Sequence, residues 1–407
     1  MTQPHMDPYD LRYQEDPYPA FKRLREESPF YYNAERDFYA ISRHADVEKA
    51  LRDDVPYSNA MGVSLDKSAW GPDAHKVMSF LALDPPDHMR MRGLVSRGFT
   101  PRRVREMEPE ILALTNLYLD PIVEAARDGV TNAEWIDDFA GKLPMDLISQ
   151  MMGVPQADRA EVRRLADLMV HRDPGYDDVP PAGMEAALQL IAYYSDFLKD
   201  RKANLGDDLV SALITADVDG DQLKDHEIIA FLFLMVVAGN ETTTKLLGNA
   251  FYHLSRHPEQ LRDVFADPEN PQTMVAQWVE ETLRYDTSSV LLARHLREDV
   301  TLHGVTAPAG SRVVLLIGSA NRDADVFTEP ESFNVNRAED ELSRILSFGG
   351  GRHYCLGANL ARLEARVVLN EVVRRCSSIE VEEAACKRFY SSNVRGFAQV
   401  PTRFEVR

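Results

Sequence analysis

One segment near the middle of the chain limits the folds that this sequence can adopt. Apolar residues recur at three- and four-residue steps over residues 225–254, and Pro258 ends the pattern. This spacing predicts a helix of about 30 residues, roughly 45 Å long at 1.5 Å per residue. Its most apolar run, residues 228–239, is shorter than the roughly 20 residues that a membrane span needs. We therefore expect a buried helix that crosses the core, and no membrane anchor.

Most of the remaining chain has a helical pattern, with a few strand-like stretches. Helical periodicity covers residues 107–126, 157–170 and 184–198, whereas residues 37–42 and parts of 290–317 are typical of short strands. No linker-like composition separates these stretches. We therefore predict a single domain over residues 1–407, mainly α with small β-sheets.

The net charge limits the binding partners that this protein can have, and the cysteine content indicates its cellular compartment. The formal net charge is −19, which excludes nucleic acid as a partner because phosphate binding needs clustered Lys and Arg. Residues 1–21 lack the pattern of a secretory signal. Three cysteines in 407 residues are too few for a disulfide framework. We expect a soluble cytoplasmic protein in which Cys376 and Cys386 are structural.

Cys355 differs from the other two cysteines in its surroundings. It lies in the sequence Ser-Phe-Gly-Gly-Gly-Arg-His-Tyr-Cys-Leu-Gly, residues 347–357, ahead of a helix-like run. Consecutive glycines let the backbone approach a flat ligand closely. The N-terminus of the following helix is expected to lower the pKa of the Cys355 thiol, and Phe348 is placed to shield the sulfur. A lone thiolate in such a loop suits iron and excludes a tetrahedral zinc site.

This segment resembles the haem-ligand loop of the cytochrome P450 superfamily, in its soluble bacterial type. The family pattern Phe-Gly-x-Gly-x-x-x-Cys-x-Gly is met by Phe348, Gly349, Gly351, Cys355 and Gly357. The resemblance implies a triangular prism of helices around a buried haem b, with Cys355 as the fifth iron ligand and Phe348, Gly349 and Gly357 beside the cofactor. Thiolate ligation favours cleavage of the O–O bond of dioxygen.

A second motif lies inside the predicted central helix. The sequence Ala-Gly-Asn-Glu-Thr-Thr, residues 238–243, resembles the oxygen-activation motif of the same family. We expect Ala238 and Gly239 to leave room where the helix passes over the haem. The Thr242 hydroxyl can bond the Ala238 carbonyl and open the helix locally. An acid beside an alcohol suits proton transfer, so that Glu241 is assigned to relaying protons and Thr242 to stabilising the activated oxygen.

Two further groups of residues are assigned through the resemblance. Glu281 and Arg284 lie three residues apart on one predicted helix. With Arg337, they are implied to form a buried ion network needed for folding and haem incorporation.

The carboxylates of haem need cationic donors. His88 and Arg92 lie one helical turn apart after the sequence Asp-Pro-Pro at residues 84–86. In similar proteins this pair binds the haem propionates, together with the positions that match Arg294 and His353.

The substrate side of the sequence is mostly apolar. Segments expected to face the pocket contribute Phe80, Val237, Val290 and Leu291, which implies a lipophilic substrate. The Asn240-Glu241 form of the second motif is similar to that of bacterial members that oxidise sterols, terpenoids or branched lipids; a polyketide-like substrate also fits.

The activity that the resemblance implies is that of a monooxygenase, an oxidoreductase that uses dioxygen to hydroxylate or epoxidise such a molecule. The chain has no flavin or iron–sulfur motif, and electrons are therefore expected from a separate ferredoxin and ferredoxin reductase. Five arginines form a candidate basic patch for that partner: Arg97, Arg102, Arg103, Arg352 and Arg362.

Two alternatives remain open from the residues alone. A peroxygenase of the same fold would take oxygen from hydrogen peroxide, and is expected to replace the acid–alcohol pair with an arginine. A non-catalytic haem protein that senses or binds a ligand would need no proton relay at Glu241 and Thr242.

Overall fold

The computed structural model describes residues 4–172, 178–218 and 220–407. The chain is 54% helical, which confirms the predicted mainly α class with small sheets; the single-domain interpretation stays a prediction. The helices are α1 (Leu11–Glu15), α2 (Tyr18–Glu27), α3 (His44–Arg52), α4 (His75–Met78), α5 (Asp87–Val95), α6 (Pro101–Glu106), α7 (Glu108–Arg127), α8 (Leu143–Met152), α9 (Arg159–Val170), α10 (Pro181–Ala203), α11 (Leu209–Ile214), α12 (Asp225–Ser255), α13 (Pro258–Val264), α14 (Gln272–Tyr285), α15 (Ile317–Ala320), α16 (Glu339–Leu342) and α17 (Ala358–Arg375).

The strands lie in small sheets, and the largest has five strands. They are β1 (Phe30–Asn33), β2 (Phe38–Ile41), β3 (Tyr57–Ser58), β4 (Asn132–Glu134), β5 (Asp217–Val218), β6 (Asp221–Gln222), β7 (Leu292–Leu296), β8 (Val300–Leu302), β9 (Val305–Ala307), β10 (Arg312–Leu315), β11 (Cys376–Val381), β12 (Lys387–Arg388), β13 (Phe397–Gln399) and β14 (Pro401–Val406). The largest sheet has the order β1-β2-β10-β7-β3, in which β10 is parallel to β2 and the other pairs are antiparallel. A three-stranded sheet has the order β11-β14-β4.

Helix α12 is the central element, as its periodicity predicts. It runs for 31 residues, and the Glu227 carboxylate accepts a hydrogen bond of 2.8 Å from the Lys224 amide at its start. By length and composition alone α12 could span a membrane, but 61% of its most apolar window is buried inside the protein. This burial fits the predicted core helix.

Aromatic stacking fixes α12 against its neighbours. The fully buried Trp135 ring stacks on Phe251 of α12 at 4.0 Å and on Phe139 at 4.5 Å. Its indole N–H donates to the Leu247 carbonyl at 3.2 Å, so the buried donor is satisfied. The position of α12 in the core is therefore set by both packing and a hydrogen bond.

The structure brings Glu281, Arg284 and Arg337 together in the core. Arg284 donates two bonds of 2.8 Å to the Glu281 carboxylate, and Arg337 donates a third of 2.9 Å. Glu281 and Arg284 are 0% exposed. Arg284 also donates to the Asn321 carbonyl at 3.0 Å, and the Asn321 side chain donates to Ser347 Oγ at 2.8 Å. Since Ser347 begins the glycine-rich loop, the network supports that loop from behind.

Replacing Glu281 by leucine should lower the free energy of unfolding by about 3–5 kcal/mol, because the buried guanidinium of Arg284 loses its counter-charge and Arg337 keeps only Glu341. Urea unfolding followed by circular dichroism measures the change. Glu27→Leu is the matched control, since Glu27 pairs with Arg23 at the surface of α2 and should change little. Equal effects of the two substitutions would contradict the buried network.

Candidate functional site

The loop before α17 is folded by glycine conformations and one closing hydrogen bond. Gly349 and Gly351 have φ of +72° and +62°, a region that other residues rarely adopt. A Cβ on Gly351 would also lie 2.7 Å from the Leu51 carbonyl oxygen at the end of α3. The Cys355 amide donates to the Phe348 carbonyl at 2.9 Å and closes the loop. These constraints explain why the sequence needs glycine here, and they fix Cys355 before α17.

The electrostatics of Cys355 combine opposing effects. Desolvation by the surrounding protein is the largest effect and raises the pKa of the thiol above its ordinary value, although the residue is exposed at the surface of the protein. The amides of Gly357 and Ala358 lower this pKa, as the sequence predicts for a helix N-terminus, and the charges of Arg92 and Arg362 act in the same direction. Phe348 lies under the Arg362 guanidinium, at 4.4 Å.

His88 and His353 face each other beside this loop, with ring centroids 4.0 Å apart. Neither ring nitrogen of His88 has a hydrogen-bond partner among the described residues. The nitrogens of His353 make no well-formed bond either, although the Leu83 backbone lies close. Burial is the main reason that the pKa of His88 falls to about 4 and that of His353 falls further. Two donors are thus left unsatisfied in the interior.

Two arginines join this pair. Arg294 is 3% exposed, donates to its neighbour's carbonyl at Ala293 (2.8 Å), and has no carboxylate ion pair in the part of the chain that is described. Burial lowers the pKa of Arg294 to about 10. Arg92 donates to the Tyr354 carbonyl, beside Cys355. His353 responds to the positive charges of both arginines, so the four groups share one environment.

Two arginines without a carboxylate partner, beside two neutral histidines whose ring nitrogens have no well-formed hydrogen bond among the described residues, are costly unless an anionic ligand joins them. The four donors therefore fit the two propionates of a haem, and Cys355 fits its axial thiolate ligand.

The second motif adopts the hydrogen-bond pattern that the sequence predicts. Thr242 Oγ1 donates to the Ala238 carbonyl at 2.8 Å, and Ser288 Oγ donates to the Thr242 carbonyl at 2.7 Å. Ala238 is exposed within a helix whose other residues are mostly buried. The helix thus presents an open, polar surface at this point.

Gly239 also packs against a neighbouring helix. A Cβ at Gly239 would lie 2.2 Å from Ile148 Cδ1, so the absence of a side chain lets α8 approach α12 closely. The expected contact of Gly239 with the cofactor stays a prediction.

Glu241 is buried and paired with a residue that the sequence reasoning missed. Its carboxylate is 3.0 Å from the ammonium of Lys245, and the two side chains are 9% and 4% exposed. The signal was present in the sequence, since Glu and Lys four residues apart lie on one helix face. Glu–Lys pairs of this spacing are common on helix surfaces, so the spacing alone does not indicate a buried ion pair.

The expected pocket residues fall into two groups. Val237 is half-buried on α12, and the Phe80 ring packs 5.9 Å from His88 and 6.2 Å from Phe231. Leu291, however, is 0% exposed and packs with Val290 in a core cluster that includes Phe21 of α2. Leu291 and Val290, at 0% and 4% exposed, are thus enclosed by other side chains, as is Phe80 at 5%, and their contact with a substrate stays a prediction. The sequence also predicts that the region of residues 169–190 faces the pocket, and residues 173–177 of this region lie outside the described residues.

The candidate basic patch is less positive than its composition implies. Arg352 pairs with Asp54 at 2.8 Å, Arg362 with Glu280 at 2.6 Å and Arg102 with Glu106 at 2.8 Å. Arg97 and Arg103 are exposed.

Comparison with known proteins gives one consistent result. The sequence model of the family described as Cytochrome P450 matches residues 12–407. Cytochrome P450 123 of Mycobacterium tuberculosis is 51% identical over 403 residues, which cover 99% of this chain and 97% of the relative.

Solved structures agree over the same length. CYP109Q5 from Chondromyces apiculatus has a TM-score of 0.87 at 32% identity, with 100% of both chains covered. CYP109E1 from Bacillus megaterium, solved in complex with corticosterone, has a TM-score of 0.83 at 29% identity and covers 96% of this chain and 99% of its own. With a cysteine loop and a donor set that fit haem b, this chain belongs to the cytochrome P450 family of haem-thiolate monooxygenases.

Proposed function

We propose that this monooxygenase hydroxylates or epoxidises a lipophilic small molecule, with electrons delivered by a separate ferredoxin and its reductase. The observation that carries the proposal is the bond of 2.8 Å from Thr242 Oγ1 to the Ala238 carbonyl, next to the buried Glu241. A protein that only binds a ligand has no need for this acid–alcohol pair. A peroxygenase does not need it either, because its oxidant already carries the protons.

The assignment of residues to the cofactor follows from the donor set. Haem held through the Cys355 thiolate supplies dioxygen binding and O–O bond cleavage. His88, Arg92, Arg294 and His353 would hold the propionates, which gives the unsatisfied donors their partners.

Thr242 and Glu241 would handle protons. The Thr242 hydroxyl donates its hydrogen to the Ala238 carbonyl. The lone pairs of Oγ1 therefore remain free to accept a proton or a hydrogen bond from water. Glu241 Oε2 lies 3.0 Å from the Lys245 ammonium without a well-aligned hydrogen bond among the described residues, so it keeps lone pairs that can accept a proton. It is therefore a suitable atom to take up a proton and release it towards Thr242.

The ion network of Glu281, Arg284 and Arg337 would act as support and not in the chemistry. Its contacts lead to the cysteine loop through Asn321 and Ser347, and Ser347 Oγ also donates to the Leu283 carbonyl at 2.7 Å. We assign to this ion network the role of fixing the position of the cysteine loop relative to α14.

A steroid is the substrate class that we favour among the lipophilic candidates. Val237 is apolar and half-buried beside Ala238, and Phe80 packs against His88 of the donor set; the similar CYP109E1 was solved with corticosterone. Terpenoids, branched lipids and polyketide-like molecules share the same apolar character. For the electron donor, Arg97 and Arg103 are exposed and suit an acidic ferredoxin in the cytoplasm.

Cys355→Ser should abolish the strongly red-shifted Soret band of the ferrous–carbon monoxide complex, since an alcohol does not replace the thiolate as a donor to iron. The difference spectrum of the purified protein measures this. Cys386→Ser is the control and should retain the band, because Cys386 is half-buried far along the chain from the loop. A wild-type band in Cys355→Ser would refute the ligand assignment.

Thr242→Ala should reduce the product formed per NAD(P)H by about tenfold or more, with hydrogen peroxide released instead, because the hydroxyl that hands on protons is lost. Product and peroxide are measured in the same reaction, and Thr242→Ser, which keeps the hydroxyl, should stay close to wild type. Unchanged coupling in Thr242→Ala would favour the binding or peroxygenase alternatives.

Steroids should shift the spin state of the ferric protein at lower concentration than fatty acids or terpenoids of similar size. Optical titration with matched members of each class measures the apparent affinity. A shift with fatty acids but none with steroids would overturn the favoured substrate class while leaving the monooxygenase itself intact.

A further inference from the structure

The ion pair of Glu241 involves a lysine that is held on three sides. Lys245 is 3% exposed, although lysine is rarely buried without a specific partner. Its ammonium lies 3.0 Å from Glu241 Oε2 and 3.9 Å from the centre of the Phe389 ring. One charged group thus meets both a carboxylate and an aromatic face.

The stem of Lys245 is fixed by the backbone near the C-terminus. A Cβ on Gly396 would lie 2.5 Å from Lys245 Cβ and 2.8 Å from its Cγ, so the glycine backbone rests directly on the stem. The Phe389 amide donates to the Gly396 carbonyl at 3.1 Å. Residues 389–396 therefore form a closed loop, here called the C-terminal loop, whose two ends both contact Lys245.

The C-terminal loop is itself attached to the segment after α14. The Val290 amide donates to the Asn393 carbonyl at 2.9 Å, and the Arg395 amide donates to the Ser288 carbonyl at 2.8 Å. Ser288 Oγ in turn bonds the Thr242 carbonyl. Lys245 thus belongs to a fixed frame that surrounds both members of the acid–alcohol pair.

A second carboxylate lies near Glu241. Asp167 of α9 has its pKa raised to about 6, first by burial and then by the charge of Glu241, while Arg163 and Lys245 act in the opposite direction. The two carboxylates repel each other, and Lys245 is the ion-pair partner of Glu241.

We propose that Lys245 is the positioning residue of the proton relay: its ammonium holds the Glu241 carboxylate in place, and the C-terminal loop holds Lys245. This inference rests on the proposed function, which gives the relay to Glu241. The ion pair keeps Oε2 in one orientation, and the loop prevents the ammonium from swinging towards solvent. An ordinary surface lysine would satisfy neither condition.

The test compares four variants of the haem-loaded protein with wild type. Lys245→Met removes the charge and keeps the stem, Lys245→Arg keeps a charge, and Gly396→Ala displaces the stem without touching the charge. Glu241→Gln removes the relay group itself. Lys199→Met is the matched control, because Lys199 forms an exposed pair with Asp196 on α10. The carbon monoxide spectrum gives the amount of folded, loaded protein in each sample.

We expect Lys245→Met and Gly396→Ala to lower kcat about tenfold, the usual effect of losing a partner that orients a functional group, with KM unchanged. Lys245→Arg should recover most of the loss, and Lys199→Met should behave as wild type. Infrared spectroscopy gives a readout independent of turnover. Lys245→Met should show an additional protonated carboxyl band at neutral pH that is absent when Glu241→Gln is added, since a buried carboxylate without its counter-charge takes up a proton.

The outcomes separate the two proposals. If Glu241→Gln lowers kcat while Lys245→Met keeps wild-type kcat and shows no new carboxyl band, the role of Lys245 is overturned and the relay stands. If Glu241→Gln itself keeps wild-type kcat, the relay and the role of Lys245 both fall. A loss in Lys245→Met that appears in KM as much as in kcat, or that Lys245→Arg does not rescue, would mean a structural role only.

Discussion

The position of the cysteine loop relative to the rest of the molecule depends on one fully buried carboxylate. Glu281 accepts hydrogen bonds from the guanidinium groups of Arg284 and Arg337. Arg284 also donates to the Asn321 carbonyl, and the Asn321 side chain donates to Ser347, where the loop begins. Buried charges stay ionised only when every partner is in place, so this network tolerates few alternative geometries. The two left-handed glycines then set the path of the loop, and Cys355 follows at a fixed place before α17. The glycine-rich loop, which would be flexible by itself, thus holds Cys355 in a defined position.

Helix α12 combines two requirements that normally conflict. Its packing demands regularity, since Trp135 stacks on Phe251 and Gly239 lets α8 approach closely. Its chemistry demands a polar point, where the Thr242 hydroxyl shares the Ala238 carbonyl. Ser288 supplies an additional donor to the Thr242 carbonyl from outside the helix. The polar point is therefore supported by the segment after α14, while α12 stays a continuous helix and the rest of it serves as core.

Much of this arrangement could be predicted from the sequence, and the failures have physical reasons. The periodicity of residues 225–254 gave nearly the bounds of α12, and the Thr242–Ala238 bond followed from helix geometry alone. The desolvation that raises the pKa of Cys355 could not be predicted, because a sequence shows the start of a helix but not which distant segments enclose the thiol. The close approach of Ile148 to Gly239 could not be predicted either, because a sequence does not show which helix lies alongside. The sequence likewise did not indicate that Leu291 packs in one core cluster with Phe21 of α2. Lys245 was overlooked since its burial depends on Phe389 and Gly396, some 150 positions later in the printed sequence.

The unsatisfied donors around His88, His353 and Arg294 have a consequence for the life of the protein in the cell. Without an anionic ligand they cost free energy in the folded state, so the ligand-free chain is at a disadvantage relative to its unfolded forms. Whatever binds the native state alone stabilises it by mass action. We therefore expect the cofactor to protect newly made chains against unfolding and proteolysis as well as to supply the chemistry.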